Sequence, residues 1–345
     1  MKSKTATNKY MFGYLKFIWI FFFALGLSGC KTITLDESLV FQPGLFGNED
    51  TEPPTSKLRY ESVLLEPSNL IINVWVDKQK AKHVIRPSDY VKSTITHDFI
   101  AAEGERLGIT WVERDGGFIS SEPRPLVVHC GGSASDRYES GTLYVQKLIA
   151  NADVFLFDYP GYGESTGQAT AESLNVANRI VSKHVQSRLK PDQKLILWGH
   201  SLGGFVCAEM AANFPSVDGI VLEASAANAE DVTQAVVPWF AKPFIKTRVA
   251  ESLQAYDTVE TLRDIDAPIL ILGGTKDKTL PVELSQALAE RLTTAGRDVT
   301  YVEFPQGNHI SIPIQETYLP TVEGFMKKIS GGGLDIRHLE IASRE

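Results

Sequence analysis

The stretch KLILWGHSLGGFVCAEMAANF, Lys194–Phe214, changes character at a single serine. KLILWGH (Lys194–His200) is a short apolar run, which predicts a strand. LGGFVCAEMAANF, from Leu202, predicts a helix. Ser201 stands between them, with Gly199 and Gly203 two residues away on either side. A chain that passes from strand to helix at one residue exposes that residue's side chain at the corner, and the glycines let the backbone double back. Ser201 is the candidate nucleophile.

Outward from this junction, short apolar strands alternate with longer amphipathic helices. PLVVHCGG (Pro125–Gly132), DVFLFDY (from Asp153), GIVLEA (Gly219–Ala224), PILILGG (Pro268–Gly274) and VTYVEFP (from Val299) read as strands. Glu139–Ala152, AESLNVANRIVSKHVQSRL (from Ala171), Val282–Thr293 and Gln315–Lys328 read as helices. That alternation predicts an α/β fold with a mostly parallel sheet covered on both faces. LIINVWV (Leu70–Val76) reads as a strand, and ITHDFIAAEGERLGITWVER (Ile95–Arg114) as two strands turning at EGERLG. Ala226–Leu262 breaks the rhythm and predicts a small helical insertion.

The G-x-S-x-G pattern also fits GESTG, Gly163–Gly167. Ser165 has a loop before it and no helix immediately after it, so it is expected to serve loop structure. A serine hydroxyl needs a base, which in turn needs an acid to hold it. His309, in QGNHISI after VTYVEFP, is the candidate base, and Asp277, in GGTKDKTLP after PILILGG, the candidate acid. Glu223, ending GIVLEA, competes for the acid role. Asp264 and Asp266 precede a strand and read as turn residues. His83, His97 and His184 read as surface or packing residues, His129 and His200 as loop and elbow residues, and His338 lies in the tail. Two backbone N–H groups should receive the oxyanion. Leu202 supplies one; the loop HCGGS supplies the other, with Gly131 preferred and Gly132 in reserve.

GHSLGG, DYPGYGESTG, IVLEAS, PILILGGTKDKTLP and GNH occur in that order. Together they resemble the α/β-hydrolase superfamily, and most closely its Bem46-like serine hydrolases, relatives of esterases, acylglycerol lipases and acyl-protein thioesterases. The resemblance covers about Thr94 to Lys328. It implies Ser201, Asp277 and His309 as a triad, Leu202 and the residue after the HG pair as oxyanion donors, and neither metal nor organic cofactor. HCGG departs from the usual HG-x-G, and GGTKD from the frequent HGxxD. The implied reaction is cleavage of a carboxylic ester or thioester through an acyl-enzyme. A peptidase or amidase using the same triad, and a non-catalytic binding lipoprotein on this scaffold, are the alternatives.

Composition narrows the setting. The 345 residues are 43% hydrophobic and 22% charged, with a formal net charge of −8 and three cysteines. Such a chain forms a core, lacks the basic balance that nucleic acid requires, and has too few cysteines for a disulfide framework or an all-cysteine zinc site. Lys2, Lys4, Lys9 and Lys16 precede the apolar run Phe17–Leu27, with no acidic residue before Asp36. Eleven apolar residues suit a signal segment and are too few to span a bilayer; a run counted from Tyr10 to Leu27, interrupted by Lys16, leaves an uncleaved anchor as the alternative. LSGC, Leu27–Cys30, then resembles the lipobox of bacterial lipoproteins, which implies lipidation at Cys30. Lys31 after the cysteine implies, by the sorting rule of Gram-negative lipoproteins, an outer-membrane location facing the periplasm. The expected organisation is a leader (1–29), a lipidated cysteine and tether (30–58) with a short piece around Leu39–Phe46 that can pack on the body, an α/β-hydrolase domain (59–329) and a tail (330–345). Loss of the leader would leave a charge of −12, so attachment to a membrane would come from acyl chains. Partners are then an acyl ester and the membrane. Cys130 and Cys207 are expected as two buried free thiols.

Overall fold

The computed structural model describes residues 31–43, 70–76, 79–85, 93–102, 104–114, 123–134, 136–235, 237–238 and 240–330. The chain divides into two units, Met1–Ile33 with Val237–Lys246, and Thr34–Val236 with Thr247–Glu345. In the smaller, the described residues include a 3-10 turn, Lys242–Phe244, which has Pro243 in its first turn, where a missing N–H costs nothing.

The larger unit is built on eight strands: β1 (Ser93–Ala102), β2 (Glu105–Arg114), β3 (Leu126–Cys130), β4 (Asp153–Phe157), β5 (Leu195–His200), β6 (Gly219–Glu223), β7 (Ile269–Gly274) and β8 (Val299–Phe304). Their order across the sheet is β8-β7-β6-β5-β3-β4-β2-β1. β3 to β8 pair in parallel, while β2 runs antiparallel to both β4 and β1. From β3 the chain steps one way to β4, then returns to the other side of β3 for β5. Such a reversal opens a crevice at the carboxyl ends of the two flanking strands.

Alternate residues of each strand feed two cores. Leu195 and Leu197 face one side with Val128, Phe155 and Ile271, while Ile196 and Trp198 face the other with Val127, Val154 and Leu272. Both faces are apolar, so both need helices. On the first lie α2 (Ala171–Arg188), α3 (Leu202–Ala211) and α4 (Val282–Thr294); on the second lie α1 (Arg137–Leu148) and α5 (Tyr318–Ile329). α3 is buried at nine of its ten positions, consistent with its lack of a polar stripe. α2 opens with a reciprocal cap, in which Ser173 N donates to Thr170 Oγ1 at 3.1 Å and Thr170 N to Ser173 Oγ at 3.0 Å.

Three expectations change. The β1–β2 turn is tighter than EGERLG: Glu105 to Gly108 belong to β2, and Gly104, at φ +94°, makes the corner. The insertion is only partly helical. Beside short helices at Ala229–Ala235 and Thr258–Thr261 it contains the strand Ile245–Val249, which pairs with Lys31–Leu35. LIINVWV pairs antiparallel with a second strand, Gln79–Ile85, whose charged sequence concealed it. The packing expected of the piece around Leu39–Phe46 is present: Asp36 caps the helical turn Glu37–Val40, and Phe41 is buried in the first core.

Candidate active site

Ser201 follows β5 directly and is the residue before α3. Its φ of 55° and ψ of −119° are a conformation that L-residues avoid, held because the surroundings overdetermine it. The glycines explain the tolerance. A methyl group on Gly199 would run into the Gly203 backbone, and one on Gly203 into the Cys130 carbonyl.

Three loops at the carboxyl ends of three strands bring the chemical groups together. The Ser201 hydroxyl lies 3.0 Å from His309 Nε2, and His309 Nδ1 lies 2.8 Å from Asp277 Oδ2. A carboxylate only accepts, so Nδ1 carries the ring proton, and Nε2 is the acceptor for the Ser201 hydroxyl. The other oxygen of Asp277 accepts from Thr279 N at 2.8 Å and Leu280 N at 2.9 Å, which fixes the carboxylate from behind. The His309 carbonyl accepts from His200 Nε2 at 2.7 Å, anchoring the backbone of the same loop. Burial lowers His200 to about 4, so this neighbour stays neutral.

The comparisons agree with this architecture. Residues 125–246 match the family model described as α/β hydrolase fold. Protein Bem46 of Schizosaccharomyces pombe is 23% identical over 212 residues, 60% of this chain and 69% of its own. Lysophosphatidylserine lipase ABHD12 of Danio rerio is 23% identical over 241 residues, 64% of this chain and 62% of its own. A solved esterase of Pyrococcus furiosus shares the fold, with a TM-score of 0.54 at 16% identity, over 68% of this chain and 91% of that one. The chain has the α/β-hydrolase fold, and its sequence is similar to that of Bem46. The chain spans 61% to 67% of the length of the first curated relatives it matches.

The remaining candidates separate by position. The Nδ1 of His309 is taken by Asp277, and the Glu223 carboxyl meets other partners. It is fully buried, accepting from the Tyr144 hydroxyl at 2.6 Å and the Tyr318 hydroxyl at 3.2 Å. Burial lifts its carboxyl to about 7. Ser165 is taken up by the loop: its hydroxyl accepts from Gly108 N at 2.9 Å and donates to the Asp158 carbonyl at 3.0 Å. Asp264 and Asp266 lie exposed in the turn before β7. His129 lies within β3 rather than in the loop expected for it; it is buried, and burial lowers it to about 3. Cys30 lies outside the described residues, as does His338.

Leu202 is the first residue of α3, and Gly131 follows β3. Register pairs Cys130 with Gly199, which sets the Gly131–Gly132 loop alongside the elbow. The expectation of free thiols is corrected here. Cys130 and Cys207 form a disulfide, with Cα atoms 5.9 Å apart. Both side chains are buried, as expected, but β3 and β5 are neighbours, so α3 carries its second turn back over the end of β3 and presents one sulfur to the other. The sequence also gave no direct sign of Tyr159, whose hydroxyl donates to the Gly131 carbonyl at 2.8 Å.

Proposed function

We propose that this hydrolase cleaves carboxylic esters or thioesters through an acyl-enzyme on Ser201. The observation that carries the reading is the hydrogen-bonded row from Ser201 through His309 to Asp277, at 3.0 and 2.8 Å. As Ser201 Oγ bonds to the acyl carbon, its proton passes to His309 Nε2, and Asp277 holds the ring and faces the imidazolium that forms. The carbonyl oxygen becomes an oxyanion, received by the N–H groups of Leu202 and Gly131. When the intermediate collapses, the leaving alcohol or thiol takes the proton from His309. Water then repeats the sequence on the acyl-enzyme and releases the acid. No metal or organic cofactor takes part.

A small acyl ester is the proposed substrate class, supported by the likeness to a relative named as a lysophosphatidylserine lipase. Tethering through a lipid on Cys30, in an outer membrane facing the periplasm, is supported by LSGC after a lysine-led apolar run. Among the described residues no helix is long and apolar enough to cross a membrane.

A panel of acyl esters of graded chain length, with amide counterparts, tests the reading. Turnover of esters together with fluorophosphonate labelling is expected. Amide turnover at comparable rates would make the protein a peptidase or amidase, and labelling without turnover of any ester would count against the substrate class.

A further inference from the structure

The loop after β3 is built from two glycines, the residue type with the widest choice of φ and ψ. Oxyanion donors act because they are already in place when charge develops. A Gly131–Gly132 loop does not hold its own shape, so the shape must be imposed by its neighbours.

Three contacts impose it. Cys130, immediately before Gly131, is bonded to Cys207 of α3, the helix whose first residue is Leu202. The peptide after Gly131 is held through its carbonyl, which accepts from the Tyr159 hydroxyl at 2.8 Å. Further along, the Ser133 carbonyl accepts from the Tyr162 hydroxyl at 2.8 Å and from Gln42 N at 3.1 Å. Tyr159 and Tyr162 meet edge to face with centroids 5.4 Å apart. Their loop is itself fastened by the buried ion pair between Asp158 and Arg137. Gly131 thus has the residue before it tied to α3 and the peptide after it tied to Tyr159.

We propose that the Cys130–Cys207 disulfide and the Tyr159 hydroxyl are positioning groups of the oxyanion hole, together setting the Gly131 N–H against the Leu202 N–H. This rests on the ester-hydrolase reading above. Neither group touches the reacting atoms; both act through the backbone of the glycine pair.

The test compares an aryl ester with its thiono counterpart, whose sulfur is a poor hydrogen-bond acceptor and draws little from the hole. Tyr159→Phe keeps the ring and frees the Gly131 carbonyl; Cys130→Ala with Cys207→Ala removes the crosslink. For each, kcat on the oxo ester is expected to fall about 10- to 100-fold with KM within about twofold. The oxo-to-thiono ratio of kcat/KM should fall by a similar factor. A purely structural role would lower the active fraction on both substrates alike, and an unchanged ratio in the folded variants overturns the proposal. If the double alanine variant does not fold, the Tyr159→Phe ratio decides alone. Wild-type protein that neither turns over the ester nor takes a fluorophosphonate on Ser201 overturns the underlying hydrolase reading. Wild-type activity with an unchanged ratio in the variants overturns only the positioning role.

Discussion

The backbone N–H of Ser201 donates to the carbonyl oxygen of Glu223 at 2.9 Å, so the sharpest corner of the chain is hydrogen-bonded to the end of the neighbouring strand. Below that bond the Glu223 side chain takes the hydroxyls of Tyr144 and Tyr318. Burial is the main cause of its raised pKa, and these two donors pull the other way. Between an ordinary glutamate pKa of about 4.3 and the folded value of about 7, the folded state keeps a proton that the unfolded state has released. The stability contributed by this group is therefore fully present below that window and is lost as pH rises through it.

Glu223→Gln removes this titration. The stability of the variant relative to wild type should rise by about 2–3 kcal/mol between pH 4.5 and 7, measured by urea unfolding. His129 and His200 act in the opposite sense, since their lowered pKa values cost stability as pH falls below about 6.5. Both are present in each protein and drop out of the difference. A difference that is flat with pH would show that Glu223 does not titrate in the folded protein as described.

Gly203→Ala should lower stability by at least about 2 kcal/mol, because the new methyl group meets the Cys130 carbonyl, a backbone atom with nowhere to move. Thermal melting of purified protein checks this. An unchanged midpoint would mean that α3 and the end of β3 are less tightly apposed.

Much of this arrangement was legible in the residues, for identifiable reasons. Continuous apolar runs such as LILW and ILIL announce strands buried on both faces, and the abrupt change at Ser201 fixes the elbow without any long-range information. His309 and Asp277 could be read because each follows a strand at a loop. The pairing of Cys130 with Cys207 depends on which strands are neighbours, and neither cysteine's local sequence carries the order β5-β3-β4. Tyr159 was hidden for a related reason. A tyrosine between Asp158 and Pro160 reads as an ordinary loop residue, and its role exists only because β4 ends next to β3.

Ser165→Ala discriminates between the two serine motifs. Losing bonds to Gly108 N and the Asp158 carbonyl should cost about 1–2 kcal/mol of stability. Activity and fluorophosphonate labelling should stay near wild type. Loss of labelling in a folded variant would return Ser165 to the candidates for nucleophile.

Cys30→Ala in the full-length chain tests the tether. The variant should leave the membrane fraction or remain unprocessed, seen as an intact leader in the mass of the protein. Wild-type mass and unchanged fractionation would rule out lipidation at that cysteine.

The central claim is that Ser201 is the nucleophile and His309 its base, and the most direct measurement is ester turnover by Ser201→Ala, His309→Ala and the double variant, each checked by thermal melting. Each single change should lower kcat by about 10⁴-fold or more, and the double variant should lose little beyond that, because residues acting as one unit are not additive. Asp277→Asn should cost less than either. If folded Ser201→Ala keeps its activity, the row of Ser201, His309 and Asp277 is not the site of the chemistry.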